Sequence, residues 1–131
     1  MNSLLKLQSA NTILYCTRWQ ETVDFYRQTL KLPVLFANDW FVEFRLTDSA
    51  RLSIANQARA TVKTSGGQGI TIALQVPNAQ EAWQALAAQG VAVGPLKYHP
   101  WGANVFYFSD PEGHRLEVWS QLADDKMKAG R

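Results

Sequence analysis

The sequence predicts an α+β fold built from two copies of one plan: strand, helix, then strands. Three observations lead there. Short apolar runs open each half, at Thr12–Cys16 and Ile70–Val76. An amphipathic helical pattern follows each run, and paired strand patterns follow each helix. The glycine-rich stretch Ser65-Gly66-Gly67-Gln68-Gly69 separates the halves.

The first strand is followed by Thr17-Arg18-Trp19-Gln20, which reads as a capping box: a Thr N-cap with Gln three residues on. Trp19, Val23, Tyr26 and Leu30 then recur at spacings of four, three and four, one face of a helix that Pro33 stops. A short strand is expected near Val34–Phe36. Two longer ones are expected at Phe41–Leu46 and Arg51–Asn56, joined by the turn Thr47-Asp48-Ser49-Ala50. After a linker at 58–69, Ile70–Val76 alternates cleanly. Asn78-Ala79-Gln80-Glu81 resembles a second capping box. Trp83, Leu86 and Ala87 mark the apolar side of the second helix, and Gly90 is placed to end it in the left-handed conformation. A short strand is expected near Val91–Val93, and longer ones at Asn104–Ser109 and His114–Ser120. Between the last two lies Asp110-Pro111-Glu112-Gly113, with Pro at the second position of a type I turn and Gly at the fourth. The organisation is one domain over 1–131: a βαβββ module at 11–57, the linker, a second module at 70–120, and a charged tail at 121–131 that frays or forms a loose helix.

Composition narrows the function. A chain of 131 residues buries a sizeable core without disulfides or a structural metal. Hydrophobic residues are 47% and charged residues 18%, so disorder is excluded. The net charge of +2 comes with no basic cluster, which argues against a nucleic-acid partner. No apolar run is long enough to span a bilayer, so no membrane partner is expected. The residues from Met1 to Ala10 lack a secretory pattern, and the single cysteine, Cys16, cannot form an internal disulfide; a cytoplasmic location is expected.

The stretch from Tyr15 to Pro33, with Phe25-Tyr26-Arg27-Gln28-Thr29-Leu30-Lys31-Leu32, resembles the opening helix of the vicinal oxygen chelate superfamily and its "Phe-Tyr-x-x-x-Leu-Gly-Leu" run. Asp110-Pro111-Glu112-Gly113-His114-Arg115-Leu116-Glu117 resembles that family's closing "Asp-Pro-x-Gly-x-x-x-Glu" hairpin. Lys31 stands where the family usually has Gly. The superfamily includes glyoxalase I, extradiol dioxygenases, fosfomycin-resistance enzymes and bleomycin-resistance proteins. The resemblance spans about residues 11–120. It implies two βαβββ modules curled into an open, U-shaped mixed β-barrel, helices outside, with the ligand site on the concave side.

Strand alternation assigns faces independently. Leu14, Cys16, Val42, Phe44, Leu46, Leu52, Ile54, Leu116 and Val118 go to the core. Asn11, Ile13, Tyr15, Phe41, Glu43, Arg45, Arg51, Ser53, Thr71, Tyr107, Arg115, Glu117 and Trp119 go to the concave side. The candidate ligand-binding set is Tyr15, Glu43, Arg45, Tyr107, Arg115, Glu117 and Trp119: aromatic walls with a few charges. Glu117 is the sharpest single residue. It reads either as a carboxylate for a ligand amine or hydroxyl, or as the partner of Arg45, Arg51 or Arg115.

Metal-dependent relatives carry His, Gln or Glu at positions that match Asn11, Ser53, Thr71 and Glu117 here. Only Glu117 is a strong ligand, so no metal or other cofactor is expected. The two histidines do not replace the missing ligands. His114 reads as a turn residue on the side opposite Glu117. His99 reads as a loop residue near the pocket mouth, an imidazole with a small chance of acid–base work. Ser53 has no histidine placed beside it for nucleophilic catalysis. The glycines at 66–69 precede a strand, so they do not form a phosphate loop. The favoured function is metal-free binding or sequestration of a small organic molecule, similar in kind to the bleomycin-resistance branch. The alternative is a divergent metal-dependent lyase, isomerase or dioxygenase. A homodimer is expected, with the aromatics near Trp40 and Trp101 available to its interface.

Overall fold

A computed structural model describes residues 4–122. The chain divides into two units, Met1–Ser65 and Gly66–Arg131, and the division falls inside the glycine-rich stretch. Each unit is a four-stranded mixed sheet with one helix on its connection.

In the first unit, β1 (Ala10–Cys16) leads through α1 (Trp19–Asp24) to β2 (Val34–Ala37), β3 (Phe41–Thr47) and β4 (Ala50–Asn56). The strand order is β1-β4-β3-β2, with β1 parallel to β4 and the other pairs antiparallel. Alternation sorts most side chains as expected: Leu14, Cys16, Val42, Phe44, Leu52 and Ile54 are buried, while Leu46, at the register shift between Arg45 and Thr47, is only half-buried. The helix packs on them through Val23 and Tyr26, and the Tyr26 ring lies 6.0 Å from that of Phe44. The Trp19 indole N–H donates to the carbonyl of Ile54 at 2.9 Å, which fixes the helix against the sheet.

The start of α1 differs from the expected capping box. Its N-cap is Arg18, which makes no side-chain cap bond. The first turn is held instead by an Arg18–Glu21 ion pair and by the Thr22 hydroxyl donating to the Arg18 carbonyl at 2.7 Å. The helix then widens into a π-helical turn, Phe25–Thr29, closed by the N–H of Leu30 on the carbonyl of Phe25. Lys31 follows with φ 59°, the left-handed region, where the family usually has glycine. That conformation costs a side-chain-bearing residue about 1–2 kcal/mol. Lys31→Gly is therefore expected to raise stability by about 0.5–1 kcal/mol after the extra entropy of an unfolded glycine. Urea denaturation measures this, and a loss of stability would contradict it.

In the second unit, β5 (Thr71–Gln75) leads through α2 (Ala79–Ala88) to β6 (Lys97–His99), β7 (Ala103–Ser109) and β8 (Arg115–Gln121). The order β5-β8-β7-β6 repeats that of the first unit, again with the outer pair β5 and β8 parallel. The second capping box forms its main bond: Asn78 Oδ1 accepts from the Glu81 N–H at 3.1 Å. Gly90 ends the helix with φ 84°, as expected. The short strand lies at Lys97–His99 rather than Val91–Val93. Val93 N–H turns back onto the Val91 carbonyl at 2.9 Å, a three-residue turn, and Pro95 has no N–H to give a ladder. β8 runs through Gln121, which the sequence assigns to the tail. The rest of that tail, from residue 123, lies outside the described residues. Among the described residues, no helix is long and apolar enough to cross a membrane.

Candidate functional site

The helix-free face of the first sheet is laid out in rows by its register. Asn11, Arg51 and Arg45 form one row, Ile13, Ser53 and Glu43 the next, and Tyr15, Ala55 and Phe41 the last. Charge is concentrated at one end and aromatic surface at the other. The charges at the first end are engaged with one another. Arg51 Nε lies 3.5 Å from Glu43 Oε2, and its Nη1 donates to the carbonyls of Thr47 and Asp48 at 2.9 and 3.0 Å. Arg45 pairs with Asp48, and this guanidinium holds the Asp48 carboxyl below its usual range. Glu43 and Arg45, both candidate ligand residues, thus have partners at the charged end, Glu43 on the sheet and Arg45 in the exposed turn, and neither reaches the aromatic end.

The aromatic end holds a cavity of about 360 Å³. Its strand residues are Ile13, Tyr15, Phe41 and Ala55, and the adjoining turns add Trp40, Arg59, Ala60 and Thr61. Tyr15 is the one member of the candidate set that lines it. Ala60 and Thr61 belong to the stretch read as linker, and Arg59 ends a short 3₁₀ turn, Gln57–Arg59. Sequence reasoning missed these wall residues because a turn has no periodicity to read. The available signal was Asn56, whose Oδ1 accepts from the Ala58 N–H at 3.1 Å and starts the turn.

The second sheet carries Tyr107, Arg115, Glu117 and Trp119 on its helix-free face. Ala73, Glu117 and Tyr107 form one row; Gln75, Trp119 and Val105 the next. Tyr107 OH donates to Glu117 Oε1 at 2.8 Å. Glu117 therefore partners a phenol, not the arginine that one sequence reading allowed. The Arg115 guanidinium carbon sits 4.5 Å from the centre of the Tyr107 ring, and its Nε donates to Thr71 Oγ1 at 2.9 Å. Trp119 meets the ring of Trp101 edge-on at 6.2 Å, and His99 stacks on Trp101 at 5.6 Å.

The bond to Glu117 pushes the Tyr107 phenol above its ordinary pKa, with burial adding to the effect and Arg115 opposing it. The folded state thus favours the protonated phenol. The stability this contributes is complete below the ordinary tyrosine pKa and is lost as pH rises through the raised one. Glu117→Gln removes the charged acceptor and is expected to bring this transition down. Tyrosinate absorbance, with Tyr107→Phe marking the transition, checks it; an unchanged titration in Glu117→Gln would contradict the assignment.

The four family-equivalent metal positions do not suit a cation. Asn11 Oδ1 accepts from the Ser53 hydroxyl at 2.8 Å, so the two neutral side chains satisfy each other. Thr71 presents its oxygen to a guanidinium, whose positive charge opposes a bound cation. Only Glu117 is a strong ligand, and it is shared with Tyr107. Among the described residues, no cluster of three or more His, Cys, Asp or Glu is placed to hold a metal ion.

His114 lies at the turn, as expected, but is buried there: it is 1% exposed, and its Nδ1 lies 2.8 Å from Asp110 Oδ2. Cys16 is buried in the core, as its face predicts.

A family model for the Glyoxalase/Bleomycin resistance protein/Dioxygenase superfamily matches residues 8–118. Among solved structures, the chain is similar to a glyoxalase/bleomycin resistance protein/dioxygenase from Nocardioides, with 20% identity, a TM-score of 0.74, and coverage of 92% of this chain and 87% of that one. It is similar to a lactoylglutathione lyase from Agrobacterium tumefaciens at 19% identity and a TM-score of 0.73, covering 91% of this chain and 95% of that one. It is also similar to TnmS3, an antibiotic binding protein from Streptomyces sp. CB03234, at 19% identity and a TM-score of 0.72, covering 92% and 99%. At these identities the likeness is one of fold. No curated protein matches the chain.

Proposed function

The chain belongs to the Glyoxalase/Bleomycin resistance protein/Dioxygenase superfamily, and from that premise we propose that it binds a small amphipathic organic molecule without a metal ion. The observation that carries the reading is the cavity on the first sheet, with Tyr15, Trp40 and Phe41 as walls and Arg59 at its side. Its volume falls in the range of ligand pockets, and apolar and aromatic walls with a few polar groups are their usual lining. The metal-free part is supported by donor chemistry: neutral or guanidinium-facing oxygens at three of the four family positions are poor ligands for a transition ion. A structural neighbour, TnmS3, is an antibiotic binding protein, which favours binding as the function to test first.

Mass spectrometry of small molecules released from the purified protein identifies the ligand, and calorimetry measures its affinity. Tyr15→Ala and Trp40→Ala are each expected to weaken binding by about 1.5–3 kcal/mol, the burial of one large side chain. Affinities unchanged in both folded variants would move the site elsewhere. Elemental analysis after metal loading and desalting tests the other half. About one Zn, Mn, Ni or Fe per chain, lost in Glu117→Ala, would overturn the metal-free reading.

A further inference from the structure

Resting on the reading of this cavity as a ligand site, we infer that its ligand is a planar aromatic carboxylate, its ring set against the walls Tyr15, Trp40 and Phe41 and its anionic group drawn to Arg59 in competition with Asp39.

The register sets two of the walls: Tyr15 and Phe41 both pair with Ala55 on β4, which is fully buried beneath them. An aromatic ring set against these walls can take the edge-on or offset arrangement that aromatic pairs prefer. A bulky saturated group does not profit from that geometry in the same way. Trp40 adds a further wall, edge-on to Phe41 at 5.6 Å. Its backbone is fixed in advance: Asn38 Oδ1 accepts from the N–H groups of Trp40 and Phe41 at 3.0 and 2.8 Å, and the Trp40 carbonyl accepts from Asn56 N–H at 2.8 Å. Preorganised walls lower the cost of ordering on binding.

The charge balance selects the sign. Among the described residues, Arg59 is the one charged residue in the lining. Its turn is braced by Lys63, whose ammonium donates to the carbonyls of Gln57 and Ala60 at 2.9 and 3.0 Å, and by Gln57 Oε1, which accepts from the Thr64 N–H at 2.9 Å. The partner of Arg59 is Asp39 at 3.4 Å, and both side chains are more than half exposed. Such an exposed pair is weak. A ligand carboxylate held in the cavity meets the same guanidinium with less water around it and can use its two-pronged fork. Among the described residues, no acidic side chain lines the cavity to attract a cation. Glu43, one row away, is already paired with Arg51.

The test is calorimetric titration of the full chain with three isosteric probes: 2-naphthoate, 2-naphthamide and 2-naphthylmethylammonium. Naphthoate is expected to bind about tenfold tighter than naphthamide, the value of one charge-assisted bond. Arg59→Gln should remove that advantage and leave naphthamide unchanged. Asp39→Asn should tighten naphthoate alone, because it removes the competitor. Tyr15→Ala should weaken naphthoate and naphthamide alike. Naphthamide or the ammonium probe binding as tightly as naphthoate overturns the anion assignment while the cavity remains a ligand site. A naphthoate preference that survives Arg59→Gln also overturns it. If no probe binds, or Tyr15→Ala alters nothing, the reading of the cavity as a ligand site fails with it.

Discussion

Asp110→Ala is expected to remove about 3–5 kcal/mol of stability, the range for breaking a buried charged network. The carboxylate does several jobs at once. Its Oδ1 accepts from the backbone N–H groups of Glu112, Gly113 and His114 at 3.0, 2.9 and 2.9 Å. Its Oδ2 faces His114 Nδ1 at 2.8 Å, with both side chains essentially inaccessible. Truncation leaves a cluster of turn donors and an imidazole with a lost acceptor in a place water reaches poorly. Each such orphan costs roughly 1–3 kcal/mol. Asp110→Asn keeps one carbonyl oxygen for the turn and is expected to lose less. Urea denaturation of the three proteins measures the order. A loss under about 1 kcal/mol in Asp110→Ala would mean that water or a rearranged turn replaces the carboxylate.

That network also marks where the sequence stops being readable. The Asp-Pro-x-Gly turn was legible from residue types alone, because Pro and Gly occupy the positions their backbones suit. The burial of His114 was not. A histidine after a turn glycine looks like a surface residue, and only the fold around it shows that Asp110 reaches back to its ring. The strands behaved differently. Alternation placed Leu14, Phe44, Ile54, Leu116 and Val118 in the core, and all are buried. A period of two survives any uncertainty about strand ends. Register does not come from alternation, and register is what sets Ala55 between Tyr15 and Phe41. The wall from Arg59 to Thr61 has no period at all. It is set by side chains that bond to the backbone, at Asn56, Gln57 and Lys63, and such bonds are specific to one conformation of one turn.

Gly67→Ala is expected to be as damaging as the loss of Asp110, for a reason that involves no side chain in the native protein. Gly67 is buried, with φ 86°. A Cβ placed there would lie 2.2 Å from the carbonyl oxygen of Gly113, 2.3 Å from its carbon and 2.6 Å from the nitrogen of His114. These are backbone atoms of the Asp110–His114 turn, so none can swing aside. The approach is mutual: a Cβ on Gly113, with φ 108°, would lie 2.7 Å from the Gly66 carbonyl oxygen. Two turns, distant in sequence, thus touch main chain to main chain at the start and end of the second unit. The left-handed backbone alone costs alanine about 1–2 kcal/mol. Forced displacement of a packed turn adds about 1–3 kcal/mol, the scale of overpacking. Gly69→Ala separates the two causes, because Gly69 has φ 77° but a Cβ there would meet nothing within 4 Å. It should lose only the backbone share. Denaturation midpoints of the two variants decide the matter: equal losses would show that the Gly67–Gly113 contact relaxes freely, whereas a deficit of at least about 1 kcal/mol more in Gly67→Ala is what the close approach requires.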